Sequence, residues 1–225
     1  MLNQKQLVIM LNMQNELNKT VDYEWVTKGW DYMRAVALEA AEAIEHHGWK
    51  WWKAQKMNHS QLQMELIDIW HFYLSSYLQI HGGNEQKALK HIIKDINEID
   101  GSVIFDGQNY IFDKMSMLEK LDLLCGLACA KRMSIGLFFA LCNDIKLTTQ
   151  NIYEQYVQKN ILNIFRQSKG YKKGNYYKEW FGEEDNHHLM KIASQLNSSD
   201  ENYIEKLWGG LEEIYNKVLK QNNRI

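Results

Sequence analysis

Not one proline occurs in the 225 residues of this chain, where ordinary usage of about 5% would place several. Proline breaks a helix because its ring fixes φ and it has no N–H to donate. Without it, only glycines and polar clusters can end helices. Helix-forming residues dominate and sustained apolar–polar alternation is scarce, so the spacing predicts an all-α fold, a helical bundle in a single domain over residues 1–225. The length suits one domain, and 45% hydrophobic residues supply a core of real size.

The net charge of −2 creates no field that would gather nucleic acid or a membrane surface, and neither is expected as a partner. Cys125, Cys129 and Cys142 are an odd set with no zinc-type spacing to histidine. Cys125 and Cys129 lie one helical turn apart, as small core residues do, and all three read as reduced thiols of a cytoplasmic protein. The opening MLNQKQLVIMLNMQNELNK is too often polar for a signal peptide, and no stretch approaches the ~20 apolar residues of a membrane span.

A first helix is predicted from Gln4 to Asn18, with Leu7, Leu11, Gln14 and Asn18 on one face, so that an apolar stripe ends in amides. A second runs from an Asp31 cap to about His46, stopping before Gly48. After a Trp/Lys-rich stretch, a third runs from Ser60 to His81 and ends at Gly82, Gly83 and Asn84. Residues 85–99 read as a helix and Gly101–Asn109 as a loop. Asp113–Cys142 reads as one or two helices interrupted around Gly126 and Gly136, and Leu147–Phe165 as a helix capped by Thr148 or Thr149. Ser168–Asn186 reads as a long loop, and SSDEN (Ser198–Asn202) as the cap of a last helix reaching about Asn216.

Within the third helix, MELIDIWHFYLSSYL is apolar nearly throughout, yet holds Glu65, Asp68 and His71 at three-residue spacing. The second helix holds Glu39 and Glu42, also three apart. Each pair lies on neighbouring turns, and helices joined by a short connection lie antiparallel, so the pairs can face each other. A solvated face or a buried ion pair would be the plainer reading. Against it, two unit charges 4 Å apart repel by roughly 4 kcal/mol at an effective dielectric of 20, and a hard divalent ion relieves that. Oxygen-only ligation favours magnesium, manganese or calcium, and magnesium commonly shares phosphate oxygens with a substrate. Asp68-x-x-His71 resembles half of a di-iron site, but the second helix offers no matching pair. His71 therefore reads as a hydrogen-bonded core histidine.

A second chemistry-bearing stretch is KNILNIFRQSKGYKKGNYYKEWFGEEDN, Lys159–Asn186. Lys159, Asn163 and Arg166 share a helix face, and lysines follow among aromatics. That pattern fits a nucleic-acid patch or an ordinary solvated loop, and equally the cations that a polyphosphate requires. No Walker-type glycine loop and no adjacent His-Asp pair occurs.

Taken together, MQNELN (Met13–Asn18), LEAAE (Leu38–Glu42), GWKWWK (Gly48–Lys53), ELIDIWHF (Glu65–Phe72) and Lys159–Asn186 make the chain resemble the dimeric all-α dUTPases, from about residue 4 to 190. Residues 84–150 are least anchored, and the phrase around Trp30 matches loosely. The resemblance implies a homodimer that contributes helices to a four-carboxylate site, with Glu39, Glu42, Glu65 and Asp68 binding two or three Mg2+ ions (Mn2+ as a substitute). It implies that Glu42 also orients the attacking water. Gln14 and Asn18 would line the nucleotide pocket, where amides can answer uracil's one N–H between two carbonyls. Trp49 and Lys53 would lie beside the base, with His71 nearby. Lys159, Asn163, Arg166, Tyr171, Lys172 and Lys178 would contact phosphate and sugar, closed off by Asp185 and Asn186. The implied reaction converts dUTP to dUMP and pyrophosphate, and dUDP to dUMP and phosphate. The alternative is a sister pyrophosphatase acting on dCTP or a broader set of nucleotides.

Overall fold

The computed structural model describes residues 2–198 and 200–222. Its contacts divide the chain into two compact units, Met1–Asn15 with Glu24–Tyr153, and Glu16–Tyr23 with Glu154–Ile225. Both are built mainly of α-helix, and no helix among the described residues is long and apolar enough to cross a membrane.

In the first unit, the opening turns of α1 (Gln4–Val21) bury Leu7 and Leu11 as the stripe predicts. A short helix that the sequence pattern did not announce, α2 (Trp25–Lys28), is anchored by the buried Trp25. The carboxylate of Asp31 accepts from the Arg34 N–H and starts α3 (Tyr32–His47), while Asn58 accepts from Gln61 N–H to start α4 (His59–Ile80). Such caps satisfy N–H groups that the first turn of a helix leaves without partners. Asn84 does the same for α5 (Glu85–Asn97). Helices α3 and α4 pack closely against each other, and α3 also packs on α6 (Met117–Cys129). Val36, Ala40 and Ala43 of α3 are fully buried, as are Ile69, Trp70 and Leu74 of α4. Trp70 stacks on Phe138 of α7 (Ile135–Asp144) with ring centres 5.1 Å apart.

Two expectations for this unit are corrected. Gly101–Asn109 is not a plain loop: β1 (Ser102–Phe105) pairs antiparallel with β2 (Gln108–Ile111). The turn is Asp106-Gly107, with φ of 48° and 75°, the left-handed pair that two-residue hairpins demand. Nor do Gly126 and Gly136 interrupt a helix, since each lies inside one. A Cβ at Gly136 would meet Phe112 at 3.3 Å, so that glycine permits close packing. The break falls between α6 and α7, where Lys131 takes φ 61°. Of the cysteines, Cys142 is buried, Cys125 half-buried and Cys129 exposed, which removes Cys129 from the core; all are free thiols.

Helix α8 (Thr149–Ser168) starts in the first unit, where the Thr148 hydroxyl accepts from Asn151 N–H at 3.1 Å, and runs on from Glu154 in the second. The segment expected to be a loop up to Asn186 holds a 3₁₀ turn at Tyr171–Lys173 and a minimal hairpin, β3 (Glu179–Trp180) with β4 (Glu183–Glu184). Helix α9 (Asp185–Ser194) follows, unannounced by the sequence pattern. The last helix, α10 (Tyr203–Asn222), passes through Gly209 and Gly210 and runs beyond Asn216. Within SSDEN, Ser199 lies outside the described residues. The core of this unit gathers around Phe165, whose ring lies 5.2 Å from Trp208, 5.7 Å from Tyr215 and 6.3 Å from Trp180. Leu211 and Tyr215 are buried and Trp208 packs on Phe165.

Opposite outcomes are expected from substitutions at the paired glycines of α10. A Cβ at Gly209 meets nothing within 4 Å, whereas at Gly210 it would lie 2.8 Å from Cγ2 of Ile192 on α9. Gly209→Ala should therefore raise stability by about 1 kcal/mol through helix propensity. Gly210→Ala should lower it by about 1–3 kcal/mol through overpacking. Thermal unfolding of the two variants reads the difference in sign.

Candidate metal and nucleotide site

Helices α3 and α4 bring together the side chains that their spacing predicted. Glu39, Glu42 and Glu65 each offer a carboxylate oxygen, and these atoms lie within 4.8 Å of one another. Glu65 is buried, Glu39 half-buried and Glu42 exposed. Glu39 and Glu42 occupy adjacent turns of α3, while Ala40 and Ala43 beside them keep that helix close to its neighbour. At such separations each pair of charges repels by roughly 3 kcal/mol or more at an effective dielectric of 20. Solvent screens the share of Glu42. The Glu39–Glu65 repulsion is harder to screen, and it is sizeable against a net folding stability of about 5–15 kcal/mol.

The fourth predicted carboxylate follows Glu65 on the same helix. Asp68 is half-buried on the next turn of α4 and is not part of the three-residue group. A residue that sequence reasoning passed over also touches the cluster: His46 Nε2 lies 3.3 Å from Oε1 of Glu65. The signal was present, since Glu39, Glu42 and His46 follow i, i+3, i+7 spacing and share a helix face. The metal-capable group among the described residues consists of three glutamates.

His71 is a buried core histidine, as expected, with Nδ1 2.7 Å from Oε1 of Gln14. The Gln14 amide in turn donates to Ser75 Oγ at 2.9 Å. Helix α4 therefore holds this carboxamide at both ends. Trp49 is half-buried after α3 and donates from Nε1 to Glu45 at 2.7 Å. Lys50 also bonds Glu45, and these two contacts hold the Glu45 carboxyl below its usual range. Lys53 is exposed in the same Trp-rich stretch.

The remaining predicted residues belong to the second unit. Asn18 is buried near the end of α1. On α8, the Arg166 guanidinium reaches the fully buried Asp185 through two bonds, Nε to Oδ2 at 2.8 Å and a terminal nitrogen to Oδ1 at 2.7 Å. The other terminal nitrogen donates to Asn163 at 3.1 Å. Asn186 Oδ1 accepts from buried Lys159 at 3.2 Å. These five residues form one connected network, in which Asp185 faces arginine. Tyr171 is exposed, with its ring 5.9 Å from the Arg166 guanidinium carbon. Lys172 and Lys178 are exposed, the first donating to the Val21 carbonyl and the second lying 3.4 Å from Glu184.

Among known proteins, a family model described as dUTPase matches residues 6–171. The match includes α3, α4 and all three clustered glutamates. No curated protein matches the chain. A carboxylate cluster set between α3 and α4, in a chain matched over most of its length, leads to one assignment: the protein belongs to the dUTPase family, in a mainly α-helical form.

Proposed function

We propose that the protein hydrolyses dUTP to dUMP and pyrophosphate, and dUDP to dUMP and phosphate. The observation that carries this reading is the cluster of Glu39, Glu42 and Glu65 inside the segment matched to the dUTPase family. Its donors are all carboxylate oxygens, the ligand set of a hard cation, and their mutual repulsion is relieved by one. Mg2+ held there would polarise phosphate oxygens and activate water for attack on phosphorus. Glu39, Glu42, Glu65 and, on the following turn, Asp68 are proposed to hold two or three such ions. Glu42, the exposed member, is proposed to orient water and accept its proton. His46 is proposed to fix the rotamer of Glu65.

Substrate recognition is proposed to follow the remaining predicted residues. Gln14 and Asn18 present amides to the base, with Trp49 and Lys53 beside it. Lys159, Asn163, Arg166, Tyr171, Lys172 and Lys178 meet phosphate and sugar. Positive charge at the phosphates stabilises the charge that develops in transfer, the main catalytic device of this reaction class. A homodimer of cytoplasmic location is part of the same proposal.

The test is release of pyrophosphate and phosphate from dUTP, dUDP, dCTP, dTTP and UTP, with magnesium and with EDTA. Magnesium-dependent cleavage of dUTP and dUDP alone is expected. Cleavage of dCTP or of many nucleotides would overturn the uracil assignment and leave a broader pyrophosphatase. Undiminished cleavage in EDTA would overturn the role of the glutamate cluster.

A further inference from the structure

We propose that Tyr176, seated on Tyr215 of α10, is a positioning residue that sets the aim of the Arg166 guanidinium. The proposal rests on the reading that Arg166 contacts substrate phosphate. Both tyrosines lie beyond Tyr171, where the family match ends.

The geometry runs through one carboxylate. Asp185 receives Arg166 on both oxygens, and its Oδ2 also accepts the Tyr176 hydroxyl at 2.7 Å. A fork-to-fork pair fixes guanidinium and carboxylate relative to each other, but leaves the carboxylate free to swing about its own side-chain torsion and carry the arginine with it. The phenol removes that freedom. Asp185 is fully buried, so water does not replace the bond when it is lost.

Tyr176 is itself held by α10. Its ring stacks on Tyr215 with centres 5.0 Å apart and planes 19° from parallel. Tyr215 is buried, and its hydroxyl accepts from the N–H of the adjacent residue Tyr177 at 3.3 Å. One ring of the last helix thus seats two successive residues of the segment that leads into β3. Lys169 on the same segment pairs with Glu212 of α10 at 2.6 Å. Burial, and then the charge of Asp185, push the Tyr176 phenol well above its usual range, so the O–H remains a donor at any working pH.

Steady-state kinetics of Tyr176→Phe, Arg166→Lys and the double variant on dUTP with magnesium test this, alongside circular dichroism and thermal unfolding. Tyr176→Phe keeps the stacked ring and deletes only the hydroxyl. It should lower kcat/KM by about tenfold, the scale of losing a group that orients another. In the Arg166→Lys background the same change should cost less than about twofold, because the two act as one unit. A full tenfold loss in both backgrounds, or no loss in either, would overturn the proposal. Wild-type kinetics for Arg166→Lys would instead overturn the reading of Arg166 on which it rests. Tyr215→Leu, which removes the seat and keeps the phenol, should lower kcat/KM in the same direction. A lower melting temperature with unchanged kcat/KM would overturn the part assigned to α10.

Discussion

Glu65→Gln is expected to lower kcat/KM for dUTP by about a thousandfold, the scale of removing one preorganised electrostatic group, while raising the melting temperature in EDTA. The two effects have one cause. Glutamine keeps the shape of the side chain and can still accept from His46, which lies 3.3 Å from Oε1 of Glu65. What it removes is the negative charge at the buried corner of the Glu39, Glu42 and Glu65 cluster. Without a cation that charge opposes folding, and relief of even one repulsion is worth roughly 3 kcal/mol at an effective dielectric of 20. Sites built for function commonly carry such a stability cost.

Magnesium should reverse the order of the two proteins. An ion present at 100 times its dissociation constant stabilises the state that binds it by about 2.7 kcal/mol. For a chain of this size that corresponds to a melting temperature several degrees higher, on the order of 5–10 °C. The wild-type protein should show this rise, and Glu65→Gln should lose most of it. Thermal unfolding with and without magnesium therefore tests the metal role independently of turnover. An equal rise in both proteins, with turnover retained, would place the ion elsewhere.

Much of this site could be read from spacing. Glu39 with Glu42, and Glu65 on the facing helix, are recognisable because helical periodicity sets which side chains share a face, and Asp31 marks where α3 begins. The stripe of Leu7, Leu11 and Gln14 is buried along its length. Periodicity does not determine side-chain rotamers, and the contact of His46 with Glu65 was passed over. In the connecting segments, the Asp106-Gly107 turn was a hairpin signal hidden by strands of only four residues, too short for alternation to register. Gly126 and Gly136 misled for a different reason. In a sequence, a glycine that permits close packing looks the same as one that ends a helix, and only the neighbouring ring of Phe105 or Phe112 distinguishes them. Asp185 shows the same limit. Its position in the motif suggested a closing polar contact, but burial and partners identify it as the anchor of an arginine.

That role makes Asp185→Ala the most destabilising substitution expected in the second unit. The carboxylate is fully buried and receives three hydrogen bonds, two from Arg166 and one from Tyr176. Alanine removes all three acceptor contacts and leaves a largely buried guanidinium without its counter-charge. Breaking a buried pair from one side costs about 3–5 kcal/mol, because the remaining charge stays desolvated. The expected fall in melting temperature is on the order of 10 °C, measured by calorimetry or circular dichroism. Asp185→Asn keeps one acceptor oxygen and the shape of the group, and should fall between alanine and wild type. The double variant Asp185→Ala, Arg166→Met replaces the orphaned charge with an unbranched apolar chain. It should recover part of the lost stability, as buried ion pairs replaced by apolar groups do, while turnover stays lost. If the single alanine variant melts like wild type, the guanidinium has found solvent or another partner, and the buried network does not hold this unit together.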